Sequence, residues 1–247
     1  MNMVDVATST STTPHGPGPD RRAERSGRSR LRTLVPVLVV WGFGLAILAV
    51  VAMQRVVPPE VLLTDAANAP GGQWYNGAVT SLGILAWTVA AGGCATTAFV
   101  CGLDARPAGV RAFRWGTIVL AVLTFDDLFQ IHSGLGPQWL GVPKEAMLGL
   151  YGLACAAWVV GAWVELRRTR WELLAAASAV LATSLVIEFL GSRRDVGLRV
   201  VFEDGAKFLG VLALAVWSVS TARDVVRSTL GTRRARPSAG GALDRQR

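Results

Sequence analysis

Residues 123–132, Leu123-Thr124-Phe125-Asp126-Asp127-Leu128-Phe129-Gln130-Ile131-His132, put two adjacent carboxylates and an imidazole at the end of an apolar run. Such a set can exchange protons or hold a cation. In hydrocarbon each charge costs on the order of 3 kcal/mol on insertion scales, and more when unpaired, so a chain that keeps them there has a partner or a use for them. A second set follows in Phe202-Glu203-Asp204-Gly205-Ala206-Lys207, where Glu203 and Lys207 have the i,i+4 spacing with the acid first that favours a helix pair. Glu188 closes an apolar run between these two, and Arg193 and Arg194 lie in the loop after it. Asp126, Asp127 and Glu203 are the candidate acid–base or cation-holding groups. Lys207 is their counter-charge. His132, Gln130, Glu188 and Asp204 would complete the binding surface, with Arg193 and Arg194 as contacts for an anionic headgroup.

Other chemistries fit less well. Carboxylates with His132 suit a hard cation or zinc, but His15 is the second of two histidines and lies in the polar leader. Membrane hydrolases of the alkaline ceramidase type use several histidines, a pattern this chain lacks. The DDxxD signature of membrane prenyltransferases fails at its fifth position, which is Gln130. Cys94, Cys101 and Cys155 sit inside apolar runs without ligand-type neighbours and read as small packing residues. The residues name no cofactor. A net charge of +8 raises nucleic acid as a partner, but the arginines cluster between apolar runs and at the tails, and no nucleic-acid motif is present.

Stepping from the charges to what must hold them, the chain is 51% hydrophobic and 17% charged, against roughly a quarter charged in soluble domains. Its apolar residues come in runs of about twenty, enough to cross roughly 30 Å of hydrocarbon. The reading is an all-α polytopic bundle of six transmembrane helices, at about 34–53, 77–101, 112–131, 146–164, 171–190 and 200–222. A disordered basic leader (1–32) precedes the bundle (33–222), and a disordered basic tail (223–247) follows it. The first run is longer than the apolar region of a cleaved signal and has a long leader, so it reads as a retained anchor. Gly92-Gly93 predicts close helix packing, and the four-residue spacing of Gly152 and Ala156, and of Ala157 and Gly161, predicts a buried packing seam. Trp115, Trp163, Trp171 and Trp217 fall toward one boundary, and Trp74 and Trp139 toward the other, as an aromatic belt would place them.

Of the lysines and arginines, 19 lie in the tails and in the loops after the second and fourth spans, and five in the other loops. That asymmetry puts both tails in the cytoplasm of a multi-pass protein of the cell membrane. At a rise of about 1.5 Å per residue, Asp126 lies roughly 18 Å above the inner boundary, Glu188 about 26 Å and Lys207 about 24 Å. Three helices thus bring charge to one slice, the outer third of the membrane. Asp126 and Asp127 point about 100° apart and so should reach different partners. His132 is off both faces of a straight helix, but the glycine-rich segment after it lets the helix end fold His132 back.

The segments Asp126-Asp127-Leu128-Phe129-Gln130-Ile131-His132 and Phe202-Glu203-Asp204-Gly205-Ala206-Lys207-Phe208-Leu209-Gly210 resemble an uncharacterised group of bacterial multi-pass membrane proteins. In that group a DDxFxxHE-like segment is followed two or three helices later by an EDGxKFLG-like one; Ser133 stands here where the glutamate would be. The resemblance implies that the two segments form one site, and it brings no activity with it.

The sequence therefore points to an outward-facing intramembrane polar site that binds or acts on a membrane lipid or small amphiphile, with a cation or proton as a further occupant of its acids. Two other classes remain open: a small ion- or proton-coupled transporter, and a non-enzymatic subunit whose charges lock the bundle. Neither a reaction nor an oligomeric state can be read from the residues.

Overall fold

The structure is a computed structural model that describes the backbone of residues 19–63, 73–190 and 196–235, with side chains over 35–63, 73–189 and 200–231. Every regular element among the described residues is helical. In order these are α1 (Pro19–Met53), α2 (Pro59–Leu63), α3 (Ala78–Leu103), α4 (Pro107–Phe129), a π-helical segment (Ile131–Leu140), α5 (Lys144–Gly161), α6 (Trp163–Leu166), α7 (Trp171–Leu190) and α8 (Val196–Ala235).

Four helices are long and apolar enough to cross a membrane: Val35–Met53 within α1, Ala78–Leu103, Pro107–Phe129 and Trp171–Phe189. Their outward faces are apolar too. Val39 and Phe43 on α1 are 65% and 67% exposed, which in water would be a large unpaid apolar surface and in lipid is none. α5 has 18 residues and starts on Lys144-Glu145, and α8 carries Glu203, Asp204 and Lys207 in its early turns. These two are not among the four apolar spans.

α8 is the hub, packed against α3, α7, α1 and α2, while α4 packs on α3 and α5 on α4. Contact between α3 and α8 is close because Gly93 lacks a side chain: a Cβ there would lie 2.6 Å from Ser218 Oγ and 2.9 Å from its carbonyl carbon. Gly93, rather than exposed Gly92, is the packing glycine of that pair. A Cβ on Gly210 would likewise lie 2.6 Å from Leu181 Cγ, bringing α7 onto α8.

Where α4, α5 and α8 meet lies an aromatic core. Trp217 is fully buried, stacked on Phe113 with ring centroids 6.5 Å apart and edge-on to Trp158 at 6.1 Å. Both indole N–H groups are satisfied, Trp158 donating to the Ala112 carbonyl at 2.9 Å and Trp217 to Thr169 Oγ1 at 3.1 Å. Trp217 is thus a core residue and not part of a belt, whereas Trp74, Trp115, Trp139, Trp163 and Trp171 are exposed.

One further expectation changes. Gly152 and Gly161 have nothing within 4 Å of a Cβ position, and Ala156 and Ala157 are exposed, so the small residues of α5 form no buried seam. Four-residue spacing marks a face, but it does not supply a helix to cover that face. The helical backbone of α1 begins at Pro19 and that of α8 continues to Ala235. Past residue 222, α8 is also tied down, by an Arg170–Asp224 ion pair at 2.9 Å and by the Thr229 hydroxyl donating to Asp104. Residues 1–18 and 236–247 lie outside the described residues.

Candidate functional site

The last turn of α4 presents Asp126 and Asp127, both buried. Gln130 then takes the left-handed conformation, φ 51° and ψ 45°, which a residue with a side chain rarely adopts, and its N–H caps the Asp126 carbonyl. This turn ends the helix and brings His132 back over it. The His132 backbone N–H donates to Asp126 Oδ1 at 2.9 Å, and its Nδ1 lies 2.5 Å from Asp126 Oδ2. Tyr151 of α5 completes the set, its hydroxyl donating to Asp126 Oδ1 at 2.8 Å. Against an ionised carboxylate, which can only accept, Nδ1 would be the donor of this pair.

Asp127 faces the other way. Its Oδ2 accepts from Trp87 Nε1 of α3 at 2.9 Å, and its Oδ1 meets Lys207 Nζ of α8 at 2.7 Å. The two adjacent acids therefore bind different helices, as their angular separation on α4 requires. Lys207 reaches across to Asp127 in an ion pair between α8 and α4. The backbone carbonyl of Glu203 accepts from Ser184 Oγ at 2.8 Å. At the outer end Lys144 of α5 and Glu188 of α7 approach to 2.5 Å.

Two cavities meet at this polar layer. The outer one, about 250 Å³, is bordered by polar and charged groups including Ser133, Lys144, Glu203 and Asp204. The inner one, about 270 Å³, reaches down between α4, α5 and α7 and is bordered mainly by Leu120, Leu148, Val159, Leu181 and other apolar side chains. Trp87, Asp127, His132, Ser184, Glu188 and Lys207 border both. Together they reach the size range of small-molecule sites, roughly 300–1,000 Å³. Ser133 Oγ is buried in the wall of the outer cavity without a hydrogen-bond partner among the described residues.

Of the residues singled out from sequence, Asp127, His132, Glu188 and Lys207 border both cavities. Asp126 borders the inner one, and Glu203 and Asp204 the outer one. Gln130 borders neither; its contribution is the backbone turn that returns His132. Arg193 and Arg194 lie outside the described residues. Tyr151 and Trp87 were missed by the sequence reading. Both had a signal: a lone tyrosine or tryptophan deep in an apolar helix needs a partner for its O–H or N–H.

One ligand atom from each of Asp126, Asp127 and His132 lies within 4.8 Å of the others, a grouping that could hold a cation. A cation would have to displace Lys207 from Asp127, or His132 and Tyr151 from Asp126. The lysine already supplies the positive charge that an ion would bring. What the arrangement offers is an oriented imidazole and a fixed ion pair at the boundary between a polar and an apolar cavity.

No curated protein and no solved structure matches the chain. A family model described as a domain of unknown function, DUF8692, matches residues 33–221. The chain, a helical protein with helices able to span a membrane, belongs to that family.

Proposed function

We propose that this protein binds an amphiphile inside the membrane, its polar head in the outer cavity and its apolar chain in the inner one. The observation that carries the reading is the pair of cavities of opposite polarity with six bordering residues in common. In this reading all six helices of sufficient extent, α1, α3, α4, α5, α7 and α8, span the bilayer of the cell membrane. Both tails are cytoplasmic, as the distribution of lysine and arginine favours. α5 and α8 cross despite their charges because those charges cluster at the outer end and in the pocket. His132, oriented by Asp126, is the group that exchanges a proton with the bound head. Lys207 and Asp127 hold the head's polar atoms, with Glu203 and Asp204 facing it across the cavity. Below His132 the inner cavity is mainly apolar, which suits a chain and gives no polar path for a carried ion.

Gly152 provides the test. It borders the inner cavity and a Cβ there meets nothing within 4 Å, so Gly152→Phe adds bulk at the chain site from a position with room for the first side-chain atom. Purified protein titrated with a fluorescent single-chain amphiphile should bind it, and the variant should lose that binding at an unchanged melting temperature. Equal binding by both proteins, or none by the wild type across a panel of headgroups, would refute the reading.

A further inference from the structure

We infer that the opposite end of the molecule carries a second, separate lipid site, for an anionic phospholipid straddling α4. Two grooves lie there, one on each side of that helix. The first, about 680 Å³, runs past Arg106, Arg111, Arg114 and Trp115. The second, about 620 Å³, runs between α4 and α5 past Ala154, Ala157 and Gly161. Arg111 and Trp115 border both.

Charge at this end is distributed unevenly. Arg106 pairs with Glu165 at 3.3 Å, Arg168 with Glu165 at 2.7 Å and Arg170 with Asp224 at 2.9 Å, while Arg167 lies over the Trp163 ring at 5.7 Å. Arg111 and Arg114, three residues apart on the exposed side of α4, have no ion pair or hydrogen bond with any described residue. Two unneutralised guanidinium groups beside an exposed tryptophan, with an apolar groove leading away on either side, match a phosphodiester headgroup carrying two acyl chains. The small residues of α5 then acquire a purpose: without bulk they leave the second groove open for a chain. The occupant is an anionic lipid and not free phosphate, because most of the groove surface is apolar.

The test uses the full chain purified in a neutral maltoside detergent and titrated with dioleoylphosphatidylglycerol, with binding read by native mass spectrometry. Dioleoylphosphatidylcholine and inorganic phosphate are the comparison ligands. Phosphatidylglycerol should bind, and the other two should not compete with it. Replacing both Arg111 and Arg114 by Gln should weaken binding about thirtyfold, at on the order of 1 kcal/mol for each arginine. Arg167→Gln, at the same boundary, should leave binding unchanged. Ala157→Leu, which narrows the second groove without altering charge, should weaken it severalfold, and it also covers the case in which the double variant does not fold. Equal binding of phosphatidylcholine, displacement by phosphate, or unchanged affinity in the double variant or in Ala157→Leu would overturn the assignment.

Discussion

Asp127 divides its two oxygens between an indole on α3 and an ammonium on α8, so one carboxylate fixes the separation of three helices. Removing it takes from Lys207, 35% exposed, the carboxylate 2.7 Å from its ammonium. A fully buried pair loses about 3–5 kcal/mol when one partner is removed, and partial exposure should lower that to roughly 2–3 kcal/mol for Asp127→Ala. The double variant Asp127→Ala/Lys207→Met should recover most of the loss, as read from thermal unfolding in detergent. A double variant no more stable than Asp127→Ala would mean that the pair is not what Asp127 stabilises. Much of this layer was legible in the residues, because acids in apolar runs stand out against their background. Which partner each acid would choose was not. Spacing along one helix ranks partners only within that helix, and the ion pair of Lys207 with Asp127 joins two helices. Tyr151 and Trp87 escaped because a single polar atom on a large apolar side chain barely changes a hydrophobic pattern.

α5 is held unlike its neighbours. Trp158 is its one buried residue, and its outer end is fastened to α7 through the Lys144–Glu188 ion pair at 2.5 Å. The segment leading into it is a π-helix that contains Pro137 and ends on Gly141 at φ 65°. An α5 so loosely packed on α4 should be the first element to move, opening the inner cavity sideways. Lys144→Gln should therefore raise amide hydrogen exchange in the first turns of α5, and leave that of α3 unaffected. The increase should be about two- to fivefold, in line with a partly exposed pair worth up to about 1 kcal/mol. Unchanged exchange in α5 would show that the pair is not its fastening. The helices themselves were easy to find, since apolar runs of membrane length need little else to define them. Their neighbours were not, because a stripe of glycine and alanine looks the same whether a helix or a lipid chain lies against it.

The whole molecule is a set of helices gathered on α8, with the polar layer near one end and arginines near the other. If both tails face the cytoplasm, Gln138→Cys should react with an impermeant maleimide added outside intact cells, and Arg168→Cys only after the membrane is opened. Both positions are exposed, Cys94 and Cys101 are buried, and half-buried Cys155 is replaced by Ser in both variants to remove its background. The reverse pattern would invert the topology. The position of the hub also sets a timetable. α8 follows in the chain every helix it gathers, and Asp127 precedes Lys207 by 80 residues. In the proposed topology, at roughly 5–20 residues per second of synthesis, Asp127 would enter the bilayer about 4–16 s before its ammonium partner exists. During that interval the nascent helices hold a carboxylate that no lysine neutralises and a seam at Gly93 that no helix fills. Assembly in that topology would wait for α8 to be made, so a ribosome that stalls before it would leave behind helices with nothing to gather them.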